Sequence, residues 1–323
     1  MATAKAHTNI ALVKYWGKKD QELIIPQTDS LSLTLDEFYT TTTVDFDQEL
    51  ASDQVMINGQ QLGGPAARKV TRLLDIVRQR SDLTARARVD SHNHVPTAAG
   101  LASSASAFAA LAGAASQAAG LQLDRRGLSR LARRGSGSAT RSVYGGLVEW
   151  QAGNDDQTSY AVPIMEEVDF GIEMIAILID TRQKKISSRF GMQQSVATSP
   201  YYRLWPEVVA HDMVAVKKAI AARDVDQIGA IAEENALRMH ALTLSAAPGF
   251  TYFDSDTLKA MAIVRELRAN GINCYFTMDA GPNVKVIYDR VNREAVYSAL
   301  ADQLGADRLV VAKPGPGIKI WND

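Results

Sequence analysis

The segment Pro96-Thr97-Ala98-Ala99-Gly100-Leu101-Ala102-Ser103-Ser104-Ala105 is built to receive an anion. It joins a strand pattern to a helix pattern through small side chains and ends in paired hydroxyls. Gly and Ala let a phosphate approach the backbone, while the first helical N–H groups and the helix dipole favour negative charge. The hydroxyls of Ser103 and Ser104 suit phosphate oxygens or Mg²⁺. A lone Gly-Ser-Ser is more often the capped start of an Ala-rich helix. Proline, three residues, Gly-Leu and then Ser-Ser is far more restrictive. No Gly-x-x-x-x-Gly-Lys-Ser/Thr loop accompanies it, so this is not a Walker site.

Four other segments carry charge beside small or aromatic residues. They are Asn9-Ile10-Ala11-Leu12-Val13-Lys14-Tyr15-Trp16-Gly17-Lys18, Arg134-Gly135-Ser136-Gly137-Ser138-Ala139-Thr140-Arg141-Ser142, Ser187-Ser188-Arg189-Phe190-Gly191-Met192 and Met278-Asp279-Ala280-Gly281-Pro282-Asn283-Val284-Lys285. Each has an ordinary reading: aromatic packing, a capped helix, a solvated arginine, an Asp-Gly-Pro turn. His92-x-His94 has metal-like spacing, but no third ligand follows nearby, and both rings share one face of a strand. Arg125, Arg126, Arg130, Arg133 and Arg134 make a basic helix over residues 124–134 that could touch RNA. With no interleaved aromatics, a solvated face or the rim of an anion site is the better reading.

These segments must be positioned by a mixed set of elements. Ser30-Leu31-Ser32-Leu33-Thr34-Leu35 alternates as a half-buried strand does, and residues 39–46 are Thr-rich. Pro65 opens a helix in which Val70, Leu73, Leu74 and Val77 recur at helical spacing. The run over residues 102–119 is almost all Ala, Ser and Gly, suiting a helix laid closely on a sheet. Asp124 is a good N-cap for the next helix. Residues 172–179 read as a central strand, followed by helices over 206–222, 225–241 and 256–270, the last closed by Gly271. Strand signals return at 273–278, 284–288 and 309–312. The pattern predicts two α+β domains, residues 1–183 and 184–323, meeting near 181–185.

Composition narrows the partners. The 323 residues are 46% hydrophobic, enough for a sizeable core. A formal net charge of −1 supplies no overall field to gather nucleic acid or anionic lipid, so an anion site must be local. The single cysteine, Cys274, allows no intramolecular disulfide and no cysteine-based metal cluster, and its apolar setting reads as core. Lys5, His7, Asn9 and Lys14 interrupt the N-terminal stretch, which therefore does not read as a secretory leader. The longest apolar run, residues 174–179, is too short for a membrane span. A cytoplasmic protein is expected, bound to neither nucleic acid nor membrane.

The phosphate loop resembles that of the GHMP kinase superfamily, which includes galactokinase, homoserine kinase and mevalonate kinase. With the four other segments in this order, residues 5–319 look like the diphosphomevalonate decarboxylases of that superfamily. The resemblance implies a two-domain α+β GHMP kinase fold: a ribosomal-protein-type N-terminal half, a ferredoxin-like C-terminal half, and the active site in the cleft between them. It implies ATP and Mg²⁺, a homodimer, and mevalonate 5-diphosphate as substrate. Tyr15, Trp16, Gly17 and Lys18, with Ser136, Gly137, Ser138, Ala139, Thr140 and Arg141, would hold the substrate's diphosphate and carboxylate. Arg189, Met192 and Thr198 would extend that pocket. Pro96, Gly100, Leu101, Ala102, Ser103 and Ser104 would form the ATP loop, with Ser91 and Asn93 close by and Ser103 and Ser104 near the metal. Lys184 or Lys185 would contact ATP phosphates, and Arg68 or Lys69 would reach an anion. The family commonly has Cys where this chain has Thr140, a change of little size.

The implied chemistry is demanding. A 3-hydroxy acid lacks the keto group that accepts electrons as CO₂ departs, and a tertiary hydroxyl leaves badly. Phosphorylating it from ATP makes a leaving group, and loss of phosphate and CO₂ then forms the double bond of isopentenyl diphosphate. Asp279 is expected beside that hydroxyl, with Lys18 near it to keep the carboxylate ionised. A kinase of the same superfamily that stops at phosphorylation is the nearest alternative, and an RNA-binding protein using the arginine helix is a remote one.

Overall fold

The alternating run from Ser30 and the Thr-rich run after it form one strand rather than two. In the computed structural model, which describes residues 1–94, 103–179 and 186–322, the first half is built from β1 (Ala2–Val13), β2 (Lys18–Asp20), β3 (Ile25–Pro26), β4 (Ser30–Asp47), β5 (Gln54–Ile57), β6 (Gln60–Gln61), α1 (Gly64–Ser81), β7 (Arg86–His94), α2 (Ser103–Ala118), α3 (Arg125–Gly135), β8 (Leu147–Gln151) and β9 (Tyr160–Met165). The second half contains β10 (Ile172–Ile177), α4 (Ser188–Thr198), α5 (Trp205–Ala221), α6 (Val225–Leu244), α7 (Ser255–Ala269), β11 (Cys274–Met278), β12 (Val284–Asp289), α8 (Arg293–Leu304), β13 (Leu309–Ala312) and β14 (Lys319–Asn322).

Two sheets organise the chain. The larger runs β14-β1-β4-β7-β5-β6, with β8 on the other end of β4 and β9 beyond it. At 18 residues, β4 pairs with β7 through residues 39–47 and with β8 through residues 30–33. The smaller sheet has the antiparallel order β11-β12-β10-β13. The expected boundary residues lie outside the described ones, but β10, which that boundary assigns to the first domain, pairs in the smaller sheet with β12 and β13, and β14 returns from the C-terminal end to pair with β1.

Burial explains which elements the sequence displays. α2 and α6 both pack on β1, and nearly every residue in it is buried even though Ala2-Thr3-Ala4-Lys5-Ala6-His7 alternates as a half-buried strand does. The Ala-rich α2 lies close on β1 because its contacts are small. A Cβ at Gly113 would stand 3.1 Å from that of Ala4 and 2.7 Å from Ile318 Cδ1. Val70, Leu73, Leu74 and Val77 form the buried face of α1. The Asp124 carboxylate accepts the Gly127 N–H and caps α3.

The arginines of α3 are engaged inside the molecule. Arg133 is fully buried against Asp156, which also pairs with Arg130 and Arg134, while Arg125 pairs with Glu166. The two histidines of β7 are structural as well: His94 stacks on Tyr39 at 4.4 Å and His92 meets Asp90 at 3.2 Å. Among the described residues no group of three or more His, Cys, Asp or Glu could hold a metal. Cys274 is buried, and burial pushes its thiol up to about 12. Among the described residues no helix is long and apolar enough to cross a membrane.

Candidate active site

β1 ends at Val13, and the next residue leaves the strand. The Lys14 N–H donates to Asn235 Oδ1 of α6 at 2.8 Å. Its ammonium donates back to the Ala11 carbonyl at 2.7 Å and across to Asp279 Oδ1 at 2.9 Å. Asp279 follows β11 in a tight turn in which the Gly281 N–H donates to the Asp279 carbonyl. From β12, Lys285 Nζ reaches Asp279 Oδ2 at 3.5 Å. The side chains of Lys14 and Lys285 are 2% and 5% exposed, whereas that of Asp279 is 28% exposed. The carboxylate is thus held from behind by two buried ammoniums, with an edge open to a cleft of about 540 Å³.

Arg141 stands across this cleft. Its Nε donates to Ser32 Oγ at 2.9 Å and Asn9 Oδ1 at 3.2 Å, and its Nη1 donates to Ser30 Oγ at 2.6 Å. Every one of those acceptors is neutral, so the guanidinium is oriented without being neutralised. Burial lowers the pKa of Lys14 to about 8 and that of Arg141 to about 10, and in each case Asp279 opposes the fall. Among the described residues, three cations face one carboxylate. Such a site is incomplete without an anion.

The mouth of the cleft is also cationic. Lys18, Lys69 and Arg189 line it, and burial followed by repulsion from Arg189 and Lys69 lowers Lys18 to about 8. The expectation that Lys18 sits beside Asp279 is corrected here: the buried lysine of that segment is Lys14. Strand β1 stops before the aromatic pair, and the chain then turns at Gly17 with φ +109°. A Cβ at Gly17 would fall 1.8 Å from Tyr202 Oη, whose hydroxyl donates to the Trp16 carbonyl at 2.9 Å. That turn carries Lys18 away toward Arg189.

Of the other expected residues, Tyr15, Trp16, Ser104, Ser136, Gly137, Ser138, Arg189 and Met192 line the cleft. Ala139 and Thr140 do not. Ala139 is buried, and Thr140 braces its own turn by donating to the Gly137 carbonyl at 2.6 Å. Thr198 is likewise outside, donating to Gln194 O at 2.7 Å and accepting the Ala247 N–H at 2.9 Å. Of the pair Arg68 and Lys69, Lys69 lines the cleft. Pro96, Gly100, Leu101, Ala102, Lys184 and Lys185 lie outside the described residues, as does the side chain of Ser103.

A second cleft of about 230 Å³ adjoins the first through Lys69, Ser104 and Phe108. Val55, Ile57, Leu62, Val89 and Leu111 give it apolar walls, and Ser91 and Asn93 stand among them. An apolar slot suits a flat base, and it opens toward cations that suit phosphates. Lys285 stands in the Asp279 segment without a role assigned from sequence, and Asn235 is not singled out there at all. A lysine inside the apolar run Val284-Lys285-Val286 was the available signal for the first. A mid-helix asparagine gives none.

An apolar slot opening onto a cationic cleft, carried by two sheets with packed helices, suits a nucleotide and a second anion, as expected of an ATP-dependent enzyme of the GHMP kinase fold. Residues 6–161 match the diphosphomevalonate decarboxylase-like N-terminal domain, and residues 174–312 match the mevalonate 5-diphosphate decarboxylase C-terminal domain. The chain belongs to the diphosphomevalonate decarboxylase family. The Candida albicans diphosphomevalonate decarboxylase is 34% identical over 94% of this chain and 88% of its own length. The solved mevalonate diphosphate decarboxylase from Enterococcus faecalis is 49% identical, with TM-score 0.95 over 100% of this chain and 99% of its own. A solved structure in complex with MVAPP, AMPPCP and magnesium is 50% identical, with TM-score 0.96 and the same coverage.

Proposed function

We propose that this chain converts (R)-5-diphosphomevalonate and ATP to isopentenyl diphosphate, ADP, phosphate and CO₂. The observation that carries the reading is the Asp279 carboxylate, clamped between buried Lys14 and Lys285 and partly exposed in the lining of the cleft. Asp279 orients the tertiary hydroxyl and accepts its proton late, as the phosphoryl group transfers from ATP. Lys14 and Lys285 keep the carboxylate ionised and offset the negative charge that gathers there. Arg141 takes the substrate carboxylate on its planar fork and holds it in line with the breaking bond. Lys18, Lys69 and Arg189 at the mouth receive the diphosphate.

Mg²⁺ fits as an ion carried on phosphates, because the described residues offer no acidic cage but do offer the Ser104 hydroxyl in the cleft. When bound it neutralises phosphate charge. A kinase that only phosphorylates remains the second reading. Incubation with ATP, Mg²⁺ and mevalonate 5-diphosphate distinguishes the two. The decarboxylase yields all four products in equal amounts, whereas ADP without CO₂ defeats the proposal in favour of the kinase.

The buried lysines predict an alkaline limb. With Lys14 and Lys18 both lowered to about 8, kcat/KM falls as the free enzyme is taken above about pH 8. Bound anions favour the ammonium forms, so the limb in kcat lies at higher pH. Stability has the opposite sign: a lysine whose pKa is lowered from 10.5 to about 8 penalises folding below that value and less so above it. Between those values, melting temperature should gain this contribution as activity declines. A flat kcat/KM profile to pH 10.5 would remove both lysines from the binding site.

A homodimer belongs to the same proposal. Tyr201 and Leu244, which flank the Ser199–Ser245 hydrogen bond in sequence, are exposed apolar side chains, and such side chains suit contact with a second copy. Light scattering at the mass of one chain would reject it. The charged, freely diffusing substrates fit a cytoplasmic enzyme, which cell fractionation tests.

A further inference from the structure

The lysine that clamps Asp279 is itself held by a chain of hydrogen bonds running from α6 to α5. We infer that Asn235, fixed by Asp212 and Arg238, is a positioning residue that aims Lys14 at Asp279. This deepens the proposed reaction and rests on it. Asn235 is fully buried in the middle of α6. Its Oδ1 accepts the Lys14 N–H at 2.8 Å, the first backbone N–H beyond the end of β1. Its Nδ2 donates to Asp212 Oδ2 at 2.8 Å, from α5. Arg238, one turn along α6, donates through Nη1 to both oxygens of Asp212, at 2.9 and 3.1 Å.

The chemistry of this chain fixes one orientation. An amide between a carboxylate and an N–H must turn its NH₂ to the carboxylate and its oxygen to the N–H. Asp212 is 3% exposed, so its acceptor oxygens cannot be replaced freely by water, and Arg238 offsets its buried charge. The result is that the Lys14 backbone is pinned where the strand ladder no longer holds it. From that point the side chain can return to the Ala11 carbonyl and still place Nζ 2.9 Å from Asp279. Without the pin, Lys14 remains buried but the clamp on the carboxylate loosens.

Asn235 and Met239, four residues apart on α6, share a face, and Met239 lines the cleft. The helix therefore supplies both part of the cleft wall and the brace of the catalytic lysine. Misplacement of a catalytic group by about 1 Å can remove about 10²-fold of rate. Asn235→Ala should lower kcat by about that factor, with the KM for each substrate within about twofold. Asp212→Ala should behave alike. Asp212→Asn, which still offers an oxygen to Asn235 Nδ2, should recover most of the loss, and Arg238→Ala should fall between. A merely structural role would move KM and folded fraction together and would not be rescued by the Asp212→Asn change.

The experiment measures kcat and both KM values for the full-length enzyme and these variants, with CO₂ release as readout. A crystal structure of Asn235→Ala reads the same inference without turnover. Absent CO₂ release by the unmodified enzyme sinks the proposed reaction, while the crystal structure still judges the relay. Loss of the Lys14–Asp279 contact supports positioning. Retention of that contact, or a kcat for Asn235→Ala and Asp212→Ala within about twofold of the unmodified enzyme, overturns it. Should Asn235→Ala not fold, Arg238→Ala decides alone: its side chain is 43% exposed and can be removed at the surface. In that case unchanged kcat rejects the relay.

Discussion

In the Asp279→Asn variant, turnover falls by about 10³–10⁴-fold while an ATP analogue binds as before. The substitution conserves shape and removes the charge. An amide cannot take the hydroxyl proton, and it no longer sits as an anion between Lys14 at 2.9 Å and Lys285 at 3.5 Å. The two ammoniums then face each other with Arg141 nearby, and the attraction that opposed the fall in the Lys14 pKa is gone. That pKa moves further down from about 8, and the alkaline limb of any residual activity moves with it. Substrate anions partly replace the lost charge, so KM should stay level or fall as kcat collapses. Stopped-flow turnover together with calorimetric binding separates these quantities. A kcat within about tenfold of the unmodified enzyme would take the carboxylate out of the proton transfer.

The segments that hold the chemistry were legible because each combines residue types that a simple core has no use for. Asp279 beside Gly281 and Pro282 announced a turn with a charge in it, and Arg141 among small residues announced an anion contact. What could not be read was direction. Lys14 and Lys18 lie four positions apart in one segment, and choosing between them depends on where β1 stops. Nearly every residue of β1 is covered right up to Val13, and Lys14 beyond it is buried too, so no change of pattern marks that end. The same covering hides Asn235, whose role exists only where α6 crosses the end of β1. Thr140 and Thr198 illustrate the converse. The resemblance implied both as ligands, but their hydroxyls satisfy backbone groups of their own neighbourhood.

Arg141→Lys keeps the charge and removes the geometry, and kcat/KM for the diphosphate substrate should fall by about 10²–10³-fold. The native guanidinium is 2% exposed and anchored on one side by Ser30, Ser32 and Asn9. Among the described residues no hydrogen bond occupies its Nη2, which leaves a donor for the substrate carboxylate. A lysine has one ammonium to divide between that anchoring side and the cleft. If it bonds the serines, the carboxylate loses its grip; if it turns to the carboxylate, Ser30, Ser32 and Asn9 are left unsatisfied in the interior. Either outcome frees the carboxylate to rotate away from the bond that must break, while the apolar slot on the other side of Ser104 is untouched. The KM for ATP should therefore stay within about twofold as kcat/KM for the other substrate drops. Equal loss toward both substrates would place Arg141 in general cohesion of the fold, and no loss toward either would show that the carboxylate is held elsewhere.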